Sequence, residues 1–182
     1  KIDENDLTSY TNYTGLRRGD SDFEGYISRG DLNINGLIDA YDISAVATRL
    51  EGGAHVRNVE KVEGNITLTT AKRSYTKGET VEIQVKAVNA LSFDLPYNPA
   101  DYEFMGVEAG AVKDMHNMTN DRLHTSGEKA LYPTFVNLGD RETLEGDCDL
   151  FVIKLKANRN VKFDLQAKDG FLVNKRMEVR KF

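Results

Sequence analysis

From Gly64 onward the chain alternates apolar and polar residues with a period of two. Val81, Ile83, Val85 and Ala87 alternate with Glu82, Gln84 and Lys86, and Phe151, Ile153, Leu155 and Ala157 repeat the pattern. So do Val161, Phe163, Leu165 and Ala167, while Leu91, Phe93 and Leu95 form a set stopped by Pro96. Such strands bury one face and wet the other. Turn signals at Lys77-Gly78, Asn98-Pro99 and Asn158-Arg159 separate several of them. About nine strands are expected, in a mainly β, antiparallel sandwich of jelly-roll type. Met115 to Lys129 follows neither period and reads as a long loop, and Pro133 demotes its strand to an edge or a bulge.

Before Gly64 the period changes. Ile43, Val46, Ala47 and Leu50 recur at i, i+3, i+4 and i+7, one face of a helix that Gly52-Gly53 ends. Residues 1 to about 19 are polar and rich in Tyr and Thr, without a clear period. The pattern divides the chain into a small α-helical unit over 1–53, a charged linker over 54–63 and the sandwich over 64–182.

The helix is preceded by Asp31-Leu-Asn-Ile-Asn-Gly-Leu-Ile-Asp-Ala-Tyr-Asp42, which carries the most specific chemistry in the chain. Asp31, Asn33, Asn35, Asp39 and Asp42 fall at positions one, three, five, nine and twelve of an EF-hand-type loop. Gly36 stands at the sharp turn, and Leu37 offers its carbonyl at position seven. Oxygen ligands at these intervals suit Ca2+, a hard cation that takes six to eight of them. The plainer reading is an Asn-Gly turn and a capped helix, with Asp39 as N-cap and Asp42 in the first turn; it leaves Asp31 and Asn33 unexplained. Asp20, Asp22, Glu24 and the Tyr26 carbonyl repeat the spacing more poorly and would hold a second ion. That loop's twelfth position is Asp31, already in use. Without a second ion, Tyr26-Ile27 is expected to bridge Leu37-Ile38.

Charge and composition sharpen the division. The net charge is −5, and the first fifty residues hold nine of the 29 acids but five of the 24 bases. No basic run points to nucleic acid. No apolar run approaches a membrane span, which argues against membrane insertion. Cys148 is the single cysteine, in an acidic setting that disfavours a thiolate, so neither a disulfide framework nor a thiolate metal cluster is expected. The chain starts at Lys1, as expected of a piece of a longer exported polypeptide. Its place would be secreted, cell-surface or periplasmic.

The loop and its helix resemble one calcium-binding half of a dockerin, the module that docks secreted polysaccharide-degrading enzymes onto scaffolds. By position in the loop, Ala40 and Tyr41 would correspond to partner-selecting residues, and the Tyr41 and Ile43 side of the helix would supply apolar contact to the partner. Gly78-Glu-Thr-Val-Glu-Ile-Gln-Val-Lys86, Leu91 to Pro99, Tyr102 to Val107 and Gly146 to Ala157 resemble the strands of a cohesin or carbohydrate-binding sandwich. Asn117 to His124 and Ala130 to Gly139 resemble the C-terminal tail of large glycan-degrading enzymes of gut Bacteroides. The resemblance implies a non-catalytic, calcium-dependent interaction module, an accessory domain of a parent glycoside hydrolase in polysaccharide catabolism. Its partner would be a cohesin-like domain, in cis or in another chain.

Two other functions compete. A carbohydrate-binding module would need exposed aromatic faces to hold a polysaccharide; the chain has no Trp, and Tyr97, Tyr102 and Tyr132 are the candidates. Catalysis would need paired carboxylates or a metal. Asp121, His116 and His124 imitate such a site, but histidines eight apart without a third ligand read as solvated loop residues, and His55 has no partner at a telling interval. No nucleophile elbow or phosphate loop is present, so the fragment is read as not an enzyme.

Overall fold

The computed structural model describes residues 4–47, 67–86, 90–137, 149–173 and 178–181. The expected end of the helix at Leu50, the Gly52-Gly53 stop, the linker, Cys148 and His55 lie outside them. Two α-helices, α1 (Glu4–Thr11) and α2 (Ala40–Ala47), frame the N-terminal part, with a 3-10 turn at Ile27–Gly30 between them. Among the described residues thirteen strands follow: β1 (Thr67–Thr69), β2 (Ser74–Tyr75), β3 (Thr80–Lys86), β4 (Ala90–Pro96), β5 (Tyr102–Ala109), β6 (His116–Asn117), β7 (Asn120–Leu123), β8 (Lys129–Tyr132), β9 (Thr134–Val136), β10 (Phe151–Ala157), β11 (Val161–Lys162), β12 (Lys168–Val173) and β13 (Val179–Lys181).

The strands make an antiparallel sandwich, the fold class the alternation predicts. One sheet has the order β1-β3-β10-β5, and the other runs β13-β12-β4-β8-β7, with β9 pairing β4 and β6. Val81, Ile83, Phe151, Ile153 and Leu155 point inward from the first sheet, and Leu91, Phe93, Leu95, Leu131 and Phe135 meet them from the second. Phe151 lies between Phe93 and Phe135, at ring-centroid distances of 6.4 and 4.5 Å. Each such buried side chain contributes about 1.5–3 kcal/mol, which makes this cluster the main source of stability.

The larger sheet is buried on both faces where it meets the N-terminal part. On β4, Leu91, Phe93 and Leu95 face the sandwich core, yet the alternate residues Ser92 and Asp94 are buried as well. Every residue of β9 is buried, as are Ala130 to Tyr132 of β8. What covers them is the N-terminal unit: Leu7 of α1 with Ile43 and Ala47 of α2 packs on Met118 and Val136, and Ala40 packs on Val173. The molecule is therefore three layers, one helical and two of strands.

Four expectations need correction. Residues 115–129 are no loop; they hold β6, β7 and the turn into β8, with Asn120 to Leu123 paired antiparallel to Lys129 to Tyr132. Residues 4–11 form a helix despite lacking a period: Leu7 is its buried residue, with Tyr10 partly buried beside it. Val161 to Ala167 keeps its alternation of burial, but only Val161 and Lys162 pair, with Tyr75 and Ser74. Pro133 stands neither at an edge nor in a bulge: it is buried between β8 and β9, where its missing N–H ends one ladder and the next begins.

Candidate functional site

The loop from Asp31 to Asp42 is organised by its own side-chain oxygens. Asp31 accepts the backbone N–H of Asn35 at 3.0 Å and of Gly36 at 2.8 Å, and Asn33 accepts that of Asn35 at 3.1 Å. Asn35 accepts from Leu37 N at 2.9 Å and donates its amide to Asp39 at 2.7 Å. Gly36, at φ +85°, makes the turn expected of it, with the Arg18 side chain packed where a Cβ would point. Ile34 is also in the left-handed region, at φ 59°, which is costly for a β-branched residue; its side chain is 77% exposed.

The start of α2 closes on the same cluster. Asp39 caps it by accepting Tyr41 N at 2.8 Å, while Asp42 reaches back to Asp39 N at 3.0 Å and holds Leu32 N at 2.7 Å. The N-cap reading and the loop reading thus describe one structure, in which Asp42 joins the first turn of the helix to the second loop residue.

Asp31, Asp39 and Asp42 are all buried, and among the described residues no Lys or Arg nitrogen pairs with any of them. Burial pushes the Asp39 carboxyl up to about 6 against the pull of its hydrogen bonds. Burial, then the Asp39 charge, pushes Asp42 to about 7. Such a cluster carries negative charge that no Lys or Arg among the described residues compensates. A divalent cation would do so, and two amide oxygens, three carboxylates and the Leu37 carbonyl are a hard-oxygen set suited to Ca2+. As the side chains stand, no three carboxylate, imidazole or thiolate groups among the described residues converge into a metal cluster. Asn35 would have to release Asp39 for an ion to be enclosed.

The partner strand of this loop was not legible in the sequence. Leu37 bridges Arg17, with Ile38 N donating to Leu16 O at 2.9 Å, Gly15 N to Ile38 O at 2.8 Å and Arg18 N to Gly36 O at 2.7 Å. The expected bridge from Tyr26-Ile27 is thereby corrected, since those residues lead into the 3-10 turn. Leu16, Phe23 and Ile38 form the small core beneath, so Ile38 does point inward as its position requires.

Asp20, the first residue of the poorer loop, turns away from Asp22 and Glu24 toward the sandwich. Its carboxylate meets His124 Nδ1 at 2.8 Å and accepts Arg17 N and Thr125 N, both at 3.1 Å. Asp22 and Glu24 are exposed, and Tyr26 is 75% exposed. Burial raises the Asp20 carboxyl, but the His124 and backbone bonds outweigh it and hold the group below its usual value. His124 is 3% exposed, and its Nε2 lies 2.7 Å from the Tyr132 hydroxyl. The reading of His124 as a solvated loop residue is therefore corrected. Nothing links Asp20 to His124 along the chain, 104 positions away.

The rest of this junction is charged and directional. Arg122 donates to the carbonyls of Thr14, at 2.5 Å, and Asn12; Asn120 donates to Thr11 O at 2.6 Å. Arg17 pairs with Glu128 at 3.0 Å, and Ala40 N reaches Ser92 Oγ at 3.4 Å. Gly15, at φ +82°, lies against the Tyr132 ring with no room for a Cβ. Asp94 Oδ1 and Ser44 Oγ are buried with no hydrogen-bond partner among the described residues, and burial, then the Glu128 charge, pushes the Asp94 carboxyl up to about 6.

The remaining expected residues are placed as follows. Ala40 and Ile43 are fully buried against the chain's own strands, with Tyr41 half-buried beside them. Tyr97, Tyr102 and Tyr132 are buried, so none offers the open face a sugar platform needs. Asp121 takes the Tyr97 hydroxyl at 2.8 Å and Lys129 at 2.7 Å, while His116 is exposed on β6. No helix among the described residues is long and apolar enough to cross a membrane.

No protein-family model matches the chain, and no curated protein does. Among solved structures it is similar to a cohesin module from a Clostridium perfringens family 33 glycoside hydrolase. The identity is 12%, covering 66% of this chain and 90% of that one, with a TM-score of 0.49. A type II cohesin domain from the cellulosome of Acetivibrio cellulolyticus matches at 11% identity over 63% of this chain and 86% of its own, with a TM-score of 0.47. A type I cohesin–dockerin complex from Clostridium thermocellum matches at 11% identity over 68% and 90%, with a TM-score of 0.43.

Proposed function

We propose that the chain is a non-catalytic, calcium-dependent protein–protein interaction module, in which a dockerin-like unit is docked in cis on a cohesin-like sandwich at the tail of a secreted glycan-degrading enzyme. The observation that carries this reading is where the α2 face goes. Ile43 and Ala47 are buried on Met118 and Val136, and the segment that bridges to the loop before them is tied to the sandwich through Asp20 and His124. A face spent in this way on the chain's own strands has little left for a partner in trans.

In this reading Ca2+ is held by Asp31, Asn33, Asn35, Asp39, Asp42 and the Leu37 carbonyl. It neutralises the carboxylates that burial would otherwise protonate, fixes the N-cap of α2, and so keeps Ala40 and Ile43 seated. The ion is structural and supplies no chemistry to a substrate.

The test is a melt of the full chain in calcium and in excess chelator, with sedimentation in parallel. A calcium-dependent rise in Tm, with a monomer throughout, supports docking in cis. A dimer that forms when chelation frees α2 would move the docking to a neighbouring chain, and a melt indifferent to calcium would remove the metal from the account.

A further inference from the structure

We propose that the groove between α1, the 3-10 turn and α2 is a binding site for one or two rings of a neutral saccharide. It is a cavity of about 300 Å³ whose walls include Tyr10, Tyr13, Tyr26 and Ile27, with Asp6 and Arg29 among its lining residues. This size lies at the small end of the range for small-molecule sites and suits a compact ligand rather than a broad protein surface.

The chemistry of the lining selects the class. A pyranose presents a flat C–H face and a rim of hydroxyls, each both donor and acceptor. Tyrosine rings cover the first, and a carboxylate with a guanidinium satisfies the second. Among the described lining residues Asp6 and Arg29 carry opposite charges, which suits a neutral ligand. Tyr26 is 75% exposed, so its ring is open to a ligand at the groove. The tyrosines named as a sugar platform from the sequence are in the core, and these three take their place on a different element.

The floor of the groove is built. Tyr10 donates to Gly30 O at 3.5 Å, and a Cβ on Gly30 would stand 3.3 Å from the Tyr10 ring. Gly30 thus lets the backbone close against Tyr10, while Ile38, from the loop after Asp31, lines the same cavity. The site and the calcium loop share a wall, but the saccharide proposal needs only that the unit be folded.

The test titrates the full chain, in calcium buffer, with lactose, cellobiose, maltose and N,N′-diacetylchitobiose. Saturation-transfer NMR and calorimetry follow binding. At least one probe should bind one-to-one, and Tyr26→Ala or Arg29→Ala should each weaken it about tenfold, the loss of roughly 1.4 kcal/mol of contact. Both side chains are exposed, so the calcium-dependent melt should stay unchanged in the variants, which separates a failure here from a failure of the docking reading. The proposal is overturned if no probe binds, if binding ignores both substitutions, or if sialyllactose binds better than lactose. It is overturned equally if the chain self-associates through a contact that Tyr26→Ala abolishes, since a second copy would then be the occupant.

Discussion

Calcium and pH should act against each other on the stability of this chain, and the structure sets the sizes. In the folded state Asp39 and Asp42 have carboxyls raised to about 6 and about 7, against an unfolded value near 3.8. A raised acid contributes stability that is present below the unfolded value and lost as pH climbs through the folded one. Without metal, the melting temperature should therefore fall between about pH 4 and about pH 8. The two shifts together give a loss on the order of 6 kcal/mol, or about 12–24 °C for a chain of this length. In the proposed reading calcium acts in the opposite sense, because it would bind the ionised forms. At about pH 8 a hundredfold excess over Kd returns roughly 3 kcal/mol. At about pH 5 the ion must first displace protons from both groups, at a cost of about 4 kcal/mol, and the gain should vanish. The assay is calorimetry in calcium and in chelator across that range, in an Asp94→Asn background so that the other raised carboxyl does not contribute. A calcium shift as large at pH 5 as at pH 8 would refute the carboxylate cluster as the site, as would a metal-free melt that rises with pH.

Other expectations follow from single contacts. Gly15→Ala should cost about 2–4 kcal/mol, read as a lowered urea midpoint, because it combines a positive φ with overlap on the Tyr132 ring. Ile34→Gly should raise Tm by relieving about 1 kcal/mol of left-handed strain, since its exposed side chain loses little on removal. Asp94→Asn should stabilise the chain at about pH 8 and leave it unchanged at about pH 4, where the native carboxyl is already protonated; equal effects at both values would show that ionisation is not the cause.

What could be read from the sequence was whatever a period of two or a fixed spacing records. β3, β4 and β10 each carry one inward set of apolar residues, and Asp31 to Asp42 carries its register in its spacing. The same alternation over-reached at Val161 to Ala167, because burial of alternate side chains does not require a ladder partner. α1 was invisible, having one buried apolar residue instead of a stripe. The junction was illegible for a different reason. Asp20 with His124, and Arg122 with Asn12 and Thr14, are pairs about a hundred positions apart, made of residues that in isolation read as surface polar groups. One signal was available and unused: Ala130 to Val136 is nearly continuous in apolar residues where a two-layer sandwich would alternate, and it becomes the stretch covered on both faces.

The two ends of the helical layer should be held by different agents, which makes them separable in solution. α1 is eight residues long, too short to persist alone in water. The carbonyls at and beyond its C-terminus, which a helix leaves unpaired, are taken by the sandwich: Asn120 holds Thr11 O, and Arg122 holds Asn12 O and Thr14 O. A guanidinium at a helix C-terminus is also favoured by the helix dipole. α2 instead takes its N-cap from Asp39 and Asp42, within the proposed metal loop. Arg122→Ala should thus destabilise the chain by about 2–3 kcal/mol and speed amide exchange first in residues 4–20. Chelation of the native chain should speed exchange first in residues 31–47. Exchange that rises uniformly over both segments in either experiment would mean that the layer opens as one cooperative unit, and the division of labour between strands and ion would be wrong.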